Sequence, residues 1–209
     1  MNQVNVCEHP LIGEKLAGLR DKTTPPHRFR ELMAEVGTLL GVYALENLRT
    51  KPSTVTTPLQ SAAVRIADQP IVLVAVLRAG LGMLPGLLSI APEASVGHIG
   101  LYRNEETLNP VRYYVRLPKG LEHSLTILLD PMLATGGSAV EALRILKTDG
   151  ASQIVLISLV AAKLGLRRVR REHPDVRIVA AAVDPKLNKK GYIVPGLGDA
   201  GDRLFGTLE

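Results

Sequence analysis

The spacing of hydrophobic positions changes near residue 70. Residues 27–48 repeat apolar side chains at intervals of three and four, which is the spacing of one buried helix face. Beyond residue 70, short apolar runs such as IVLVAVL (71–77) and LTILL (125–129) alternate with segments of helical spacing. Because alternating strands and helices build a parallel sheet with helices on both faces, the pattern predicts an α/β fold with a helical N-terminal region.

Two segments depart from this alternation. Residues 103–117 (RNEETLNPVRYYVRL) are polar and contain a proline where a crossover helix is expected, so they predict a long hairpin, or flap, over the open end of the sheet. Residues 191–206 (GYIVPGLGDAGDRLFG) contain five glycines and show no helical period. Glycine at that density indicates unusual backbone angles or the close approach of another molecule.

The stretch LLDPMLATGGS (128–138) carries the clearest chemical signal. It joins the end of an apolar strand to a predicted helix at 139–147, and open parallel sheets bind ligands at the carboxyl ends of their strands. Its Thr-Gly-Gly-Ser end (135–138) offers backbone N–H groups, two hydroxyls and a helix N-terminus, which suit a phosphate dianion. Asp130 suits the hydroxyls of a sugar instead. The loop therefore predicts a ribose 5-phosphate site, with a plain glycine-rich turn as the alternative, and it lacks the Gly-Lys-Ser/Thr ending of a nucleoside-triphosphate loop.

Two arginines are candidates for binding a diphosphate. Arg78 follows the apolar run 71–77 and precedes Ala-Gly, so a guanidinium and backbone N–H groups could meet a multiply charged ligand there, although a surface salt bridge is the alternative. Arg103 begins the predicted flap, from which it could close over the same group and exclude water. In the glycine-rich segment, Asp202 and Arg203 are adjacent and predict a local ion pair.

Composition and charge narrow the class of protein. The chain has 209 residues, 46% of them hydrophobic, and a net charge of +5, which describes one globular domain that favours acidic partners. In the basic run 166–173, Leu166 and Val169 are predicted to face inward and the arginines to face water, with a nucleic-acid or nucleotide-effector patch as the alternative. Only 3% of the residues are aromatic, so few side chains are available to stack against the bases of single-stranded nucleic acid.

The single cysteine and the hydropathy pattern indicate a cytoplasmic protein. Cys7 excludes an internal disulfide and a multi-cysteine metal site, and is predicted to be an inert thiol. The longest apolar runs are far shorter than a membrane span, and the chain does not begin with the pattern of a secretion signal.

These motifs resemble those of the type I phosphoribosyltransferases, and specifically of the uracil phosphoribosyltransferase family. The segment 128–139 resembles the loop that binds phosphoribosyl diphosphate (PRPP), VLRAGLGM (76–83) the pyrophosphate loop, 101–114 the flap and 191–207 the uracil-binding hood. Pro131 matches the uracil branch, because most relatives that act on other bases carry a second acidic residue there. The resemblance covers nearly the whole chain, including the motifs HPL, LRDK and FREL of the N-terminal arm.

The resemblance implies a fold and an activity. The fold is a twisted, mostly parallel sheet flanked by helices in one domain (1–209), with a helical arm (1–50), a PRPP-binding core (70–183) and a hood (184–209). The activity is transfer of the 5-phosphoribosyl group of PRPP to N1 of uracil, which gives UMP and pyrophosphate.

The resemblance also implies site residues. The PRPP-binding positions are Arg78, Arg103, Asp130, Pro131, Met132, Leu133, Ala134, Thr135, Gly136, Gly137, Ser138 and Asp199. The uracil-binding positions are Ile193, Gly198, Asp199 and Ala200. The catalytic roles fall to Arg78, Arg103, Asp130 and Asp199.

Cofactor, effector and assembly follow from the same resemblance. Because the loop has no paired acid, Mg²⁺ is expected to bind mainly through PRPP, with Asp199 reaching it through water, and not in a dedicated protein site. GTP is a candidate effector, and the assembly is expected to be a homodimer or homotetramer, with no membrane or nucleic-acid partner. Lys163-Leu164 replaces the Pro-Glu usual in the family, and Val42-Tyr43 replaces Tyr-Glu. Both departures bear on subunit contacts and on the effector response.

Two alternatives stay open at the level of sequence. A regulator with a PRPP-binding fold that binds pyrimidine-operon RNA would suit the basic charge and the arginine run. A salvage enzyme for a different base would share the PRPP loop but differ in the hood.

Overall fold

The computed structural model describes residues 4–103 and 110–207. The described strands are, in chain order, β1 (Val4–Val6), β2 (Thr50–Thr56), β3 (Ser61–Ala67), β4 (Ile71–Leu77), β5 (Ser95–Arg103), β6 (Pro110–Arg116), β7 (Leu125–Leu129), β8 (Met132–Leu133), β9 (Gln153–Ala162), β10 (Arg177–Asp184), β11 (Lys186–Leu187) and β12 (Ile193–Val194). The described α-helices are α1 (Pro10–Arg20), α2 (Pro26–Leu45), α3 (Leu84–Ile90), α4 (Gly137–Thr148), α5 (Lys163–Glu172) and α6 (Ala200–Phe205).

A mixed, mostly parallel sheet forms the centre of the molecule. Its strand order is β1-β10-β9-β7-β4-β5-β6, with the short β8 also paired with β9. Neighbouring strands are parallel except for β5 and β6, which are antiparallel. The predicted α/β fold is therefore confirmed, and so is an antiparallel pairing on either side of the flap, whose residues 104–109 lie outside the described part of the chain.

Helices cover both faces of this sheet, which explains the uninterrupted apolar strands. All five residues of β7 are buried. Ile127 faces the cluster formed with the N-terminal helices, which includes Phe29, whereas Leu128 faces the cluster that includes Leu143 of α4. Side chains alternate between the faces of a strand, so a strand covered on both faces needs apolar residues at every position.

The arginine-rich helix α5 is amphipathic, as its spacing predicts. Val169 is buried and Leu166 is half-buried, whereas Arg167, Arg170 and Arg171 are exposed. The family departure Lys163-Leu164 lies in the first turn of this helix, and both side chains are exposed. The inward and outward faces of the basic run are thus confirmed, except that Arg168, which was predicted to face water, is half-buried.

Two elements differ from the sequence prediction. Between the predicted helical arm (1–50) and the predicted core (70–183), β2 and β3 form a separate antiparallel hairpin over Thr50–Ala67, which is exposed at most positions and which the sequence did not indicate. The glycine-rich hood contains the short helix α6, which the absence of a helical period did not indicate. Its first turn forms because the Asp199 carboxylate accepts a hydrogen bond from the Asp202 N–H at 3.0 Å.

The remaining sequence expectations concern the thiol and the membrane. Burial raises the pKa of the Cys7 thiol to about 11, so this group stays protonated and unreactive at neutral pH. In the described ranges, every helix is too short or too polar to cross a membrane.

Candidate active site

A cavity of about 220 Å³ opens at the carboxyl ends of β4 and β7. The two strands pair in parallel, with Ala75 opposite Leu129, so the residues that follow them emerge at the same edge of the sheet. Arg78 and Asp130 lie on this edge and both line the cavity. Its remaining lining is formed by Val76, Leu77, Ala79, Leu101, Met132, Leu133, Ala134, Thr135, Gly136, Gly137, Ser138, Ala139, Asp199 and Gly201.

The Thr-Gly-Gly-Ser loop turns directly into α4, and glycine is required for that turn. Gly136 has φ +79°, a left-handed conformation that L side chains rarely adopt. A Cβ built on Gly136 would lie 3.0 Å from the Gly165 carbonyl oxygen of α5, so a side chain would fit only if the backbone of α5 moved away. Gly136 is the N-cap of α4 and provides no capping side chain, and the first residues of the helix, Gly137, Ser138 and Ala139, line the cavity. The Gly137 N–H donates to the Thr135 hydroxyl at 3.5 Å.

Asp130 is held by its backbone with its carboxyl group in the cavity. Its N–H donates to the Ile157 carbonyl at 3.1 Å, and its carbonyl accepts from the Ser158 hydroxyl at 2.6 Å. Burial raises the pKa of the Asp130 carboxyl to about 7, although the Met132 N–H, which donates to it, works in the opposite direction. Donors that reach this carboxyl from a bound sugar would favour its ionised form.

Arg78 sits between the sheet and the hood. It directly follows a cis peptide bond with Leu77. Its Nη2 donates to Asp202 Oδ1 at 2.9 Å, and its guanidinium lies 5.6 Å from the centre of the Phe205 ring. About half of the side chain is exposed, so the guanidinium can also face a ligand in the cavity.

The predicted ion pair between Asp202 and Arg203 is wrong. Asp202 binds Arg78 instead, and Arg203 is buried. Arg203 donates to three backbone carbonyls, those of Leu19, Asp21 and Leu197. Adjacent positions in a helix point in different directions, so sequence neighbours of opposite charge need not meet.

A second cavity, of about 370 Å³, lies beside the first and is enclosed by the hood. The two cavities share the lining residues Ala79, Met132, Ala134, Asp199 and Gly201. The second cavity is otherwise lined by Lys190, Gly191, Tyr192, Ile193, Gly198 and Ala200. A ligand that fills both cavities would pass Asp199 at their junction.

The structure brings most of the sequence-predicted positions together. All four predicted uracil-binding positions line the second cavity, and nearly all predicted PRPP-binding positions line the first. Pro131 is buried and is not one of the described residues that line the two cavities. Its carbonyl accepts hydrogen bonds from the Leu159 and Val160 N–H groups. The Arg103 side chain lies outside the described part of the structure.

The sequence analysis placed Lys190–Tyr192 in the hood but did not name these residues among the uracil-binding positions, and all three line the second cavity. The Asn188 side chain accepts hydrogen bonds from the Lys190 and Tyr192 N–H groups, at 2.9 and 3.0 Å, and so folds this segment against the hood. The Asn-Lys-Lys-Gly sequence is a turn signal that could have indicated the bend.

Comparison with known proteins supplies independent findings. The chain matches the family model described as uracil phosphoribosyltransferase over residues 6–207. A uracil phosphoribosyltransferase of Halalkalibacterium halodurans is 54% identical over 208 residues, which are 99% of this chain and 100% of that relative. The solved structure of the AQ2163 protein from Aquifex aeolicus is similar with a TM-score of 0.92 and 39% identity, and the match covers 97% of each chain.

A more distant solved structure shares the fold alone. The adenine phosphoribosyl transferase of Trypanosoma brucei, in complex with AMP, pyrophosphate and ribose-5-phosphate, matches with a TM-score of 0.61 at 13% identity. The match covers 95% of this chain and 89% of that one. The sheet and its flanking helices therefore have the type I phosphoribosyltransferase architecture.

Proposed function

The chain belongs to the uracil phosphoribosyltransferase family, and we propose that its two adjoining cavities transfer the 5-phosphoribosyl group of PRPP to N1 of uracil. The products are UMP and pyrophosphate, and the enzyme is a pentosyltransferase. One observation carries the assignment at the level of residues. A glycine-rich loop at a helix N-terminus, a half-buried carboxyl group and an arginine meet in one cavity, which shares a wall with the cavity of the glycine-rich hood.

The first cavity is assigned to PRPP. The 5-phosphate binds the N–H groups and hydroxyls of residues 135–138 at the N-terminus of α4, where the helix dipole favours negative charge. Asp130 accepts hydrogen bonds from the ribose hydroxyls. Arg78, with Arg103 from the flap, binds the diphosphate, for which the planar guanidinium offers paired donors.

The second cavity is assigned to uracil. Uracil presents an N3–H donor between two carbonyl acceptors, so a backbone that offers a C=O between N–H groups distinguishes it from cytosine, whose amino group reverses the polarity at C4. Ile193, Gly198 and Ala200 bring backbone to the wall of this cavity. Because Gly198 has no side chain and φ +82°, its peptide groups can approach a base edge closely.

Alignment and charge stabilisation account for the chemistry. The bond between ribose C1 and the diphosphate oxygen breaks, the ribose gains oxocarbenium character, and uracil N1 forms the new bond at C1 as it loses its proton. Arg78 and Arg103 stabilise the charge that develops on the leaving diphosphate, and the two cavities hold the reactants in one geometry. Asp199 lies at the junction and is the candidate to accept the N1 proton. Full turnover by Asp199→Asn would exclude that role.

Mg²⁺ is proposed to enter with PRPP. Among the described residues, no group of three or more His, Cys, Asp and Glu side chains is arranged to hold a metal ion. Mg²⁺ binds substrate phosphates and water with few protein carboxylates, and Asp199, at the junction of the two cavities, would contact it through water. When bound, the ion neutralises charge on the diphosphate.

A direct assay tests the proposed reaction. Purified protein is incubated with PRPP, Mg²⁺ and each of uracil, cytosine, adenine, guanine, hypoxanthine and orotate, and the nucleotide product is measured. We expect UMP from uracil and no nucleotide from the other bases. The absence of UMP, or a larger yield with another base, would overturn the assignment. A parallel reaction without Mg²⁺ tests the metal requirement.

The effector, assembly and location stay proposals drawn from the family. A homodimer or homotetramer is supported by the exposed apolar side chains Val55, Leu59 and Ile66 on the β2–β3 hairpin, because an isolated two-stranded hairpin is marginally stable in water. Sedimentation of the full chain measures the assembly. Activity with and without GTP tests the effector, and fractionation of cells tests the cytoplasmic location.

A further inference from the structure

Helix α1 ends against the hood, and its last residue binds two groups there. The Arg20 guanidinium donates to both carboxylate oxygens of Asp184, at 2.7 and 2.8 Å. It also donates to the Gly196 carbonyl at 2.8 Å. The Asp184 carboxylate in turn accepts from the Gly196 N–H at 2.7 Å. Gly196 is therefore held at its N–H by one partner and at its carbonyl by the other.

Gly196 forms the tight bend of the hood. Its φ is +59°, and a Cβ at this position would lie 2.1 Å from the Ile193 carbonyl oxygen. The bend lies between Ile193 and Gly198, which both line the cavity assigned to uracil. A shift of the Gly196 peptide would move both of these cavity-lining segments, since only one residue separates Gly196 from Gly198.

We infer that Arg20 and Asp184 are positioning residues for the base, and that they set the affinity of the hood for uracil without touching it. The inference rests on the proposed activity toward uracil. Where backbone groups make the hydrogen bonds to a base, the position of the backbone itself determines how well those hydrogen bonds fit. The hydrogen bonds of Arg20 and Asp184 to Gly196, here called the clamp, hold the backbone in that position. Arg20 belongs to helix α1, which lies outside the cavity assigned to uracil.

The burial of the pair makes this clamp stiff. Asp184 is 5% exposed, and the Arg20 side chain is about three-quarters buried. Burial alone would raise the pKa of Asp184, but the hydrogen bonds from Arg20 and Gly196, together with the charge of Arg20, hold it below the usual value. A bidentate Arg–carboxylate pair fixes both distance and orientation, which a single-point contact does not.

A second contact joins the same end of α1 to the hood independently. The guanidinium of Arg203 donates to the carbonyls of Leu19 and Asp21 at the end of α1, and to that of Leu197 in the hood, the last at 2.8 Å. The final carbonyls of a helix have no partner within the helix, so Arg203 satisfies them. With Arg203 intact, removal of Arg20 loosens one point of attachment and does not detach the hood.

The clamp is separate from Asp130 and the phosphate loop, although Asp199, which is also assigned to PRPP, lies in the hood three positions after Gly196. Asp184 ends β10 and pairs with Ala162 of β9, whereas Asp130 and the phosphate loop follow β7. Loss of the clamp is therefore expected to weaken the binding of uracil and to leave the binding of PRPP almost unaffected. This difference distinguishes positioning of the base from a general loss of structure.

The experiment measures KM for each substrate and kcat in three variants. We expect Arg20→Ala to raise KM for uracil about tenfold, which corresponds to about 1.4 kcal/mol, and to change KM for PRPP by less than about twofold. Arg20→Lys is expected to be intermediate, because one ammonium group does not reproduce the fork that bridges Asp184 and the Gly196 carbonyl. The matched control is Arg28→Ala, which removes an exposed arginine of the same arm that is paired with Glu31, and it should leave both KM values unchanged.

The outcomes separate the inference from the proposed function. Wild-type protein that makes no UMP would remove the proposed function itself. Wild-type activity with an unchanged KM for uracil in folded Arg20→Ala would overturn the inference alone, as would an equal rise in both KM values. Circular dichroism establishes whether Arg20→Ala folds, and if it does not, Arg20→Lys and Asp184→Asn are held to the same criterion.

Discussion

Asp130 is expected to destabilise the free protein at neutral and alkaline pH. Its carboxyl has a pKa of about 7 in the folded chain, against an ordinary value of 3.8. Between these values the folded state holds a proton that the unfolded state has lost, so the free energy of unfolding falls as the pH rises. A difference of about three pKa units corresponds to about 4 kcal/mol, reached above pH 7 and absent below about pH 4.

The substitution Asp130→Asn removes the ionisation and keeps the shape. Its amide oxygen can still accept from the Met132 N–H, so the main change is the loss of a buried charge. We expect the variant to be more stable than the wild type at pH 8 by about 2 to 4 kcal/mol, and equal to it near pH 4. Urea unfolding at half-unit steps from pH 4 to pH 8.5 measures this difference.

The control is Asp68→Asn, which alters an exposed carboxyl paired with Lys51. The pKa of Asp68 is lowered, first by the hydrogen bond from Lys51, so its removal should not produce a gain in stability that grows from pH 4 to pH 7. The reasoning fails if the wild type and Asp130→Asn show parallel stability curves. Equal affinity of Asp130→Asn and the wild type for PRPP would separately refute the proposed role of the ionised group in binding the ribose.

Three further substitutions test the other supports of the site. Arg203→Met should lower the free energy of unfolding by about 3 kcal/mol in urea, because it leaves buried carbonyls without a donor, and a loss below about 1 kcal/mol would contradict this. Gly136→Ala should lower the free energy of unfolding by about 2 kcal/mol and raise KM for PRPP, because alanine disfavours the left-handed conformation. The control Gly13→Ala, where no atom lies within 4 Å of the added methyl group, should do neither. Equal effects of the two substitutions would refute the requirement for a left-handed loop residue. Arg78→Lys should lower kcat/KM for PRPP about tenfold or more with little change in melting temperature, since its side chain is half exposed, and unchanged kcat/KM would remove Arg78 from the diphosphate site.

The sequence predicts the sheet and its covering helices because their signals are local and redundant. The run 71–77 becomes β4 with the same boundaries, and the predicted helix 139–147 lies within α4. The β2–β3 hairpin was missed because it lacks a buried face, so no alternation of apolar and polar residues identifies it. Helix α6 was missed because six residues are too few to show a period.

The sequence predicts the lining of the site better than the contacts that support it. The Thr-Gly-Gly-Ser loop and the hood have distinctive local compositions, and both line the cavities. The partner of Arg78 is Asp202, which is 124 positions away, and Arg20 meets Asp184 at a separation of 164 positions. No spacing rule reaches that far, so these pairs follow only from the arrangement of the whole sheet.

The joining of the two ends of the chain has a consequence for its biosynthesis. Val4 of β1 pairs with Ile178 of β10, and the end of α1 is bound by Arg203. Residues 4–21 therefore leave the ribosome before residues 178–203, so these particular contacts form only after that later segment has been made. A chain that terminated after β10 would contain the phosphate loop without the wall of the base cavity.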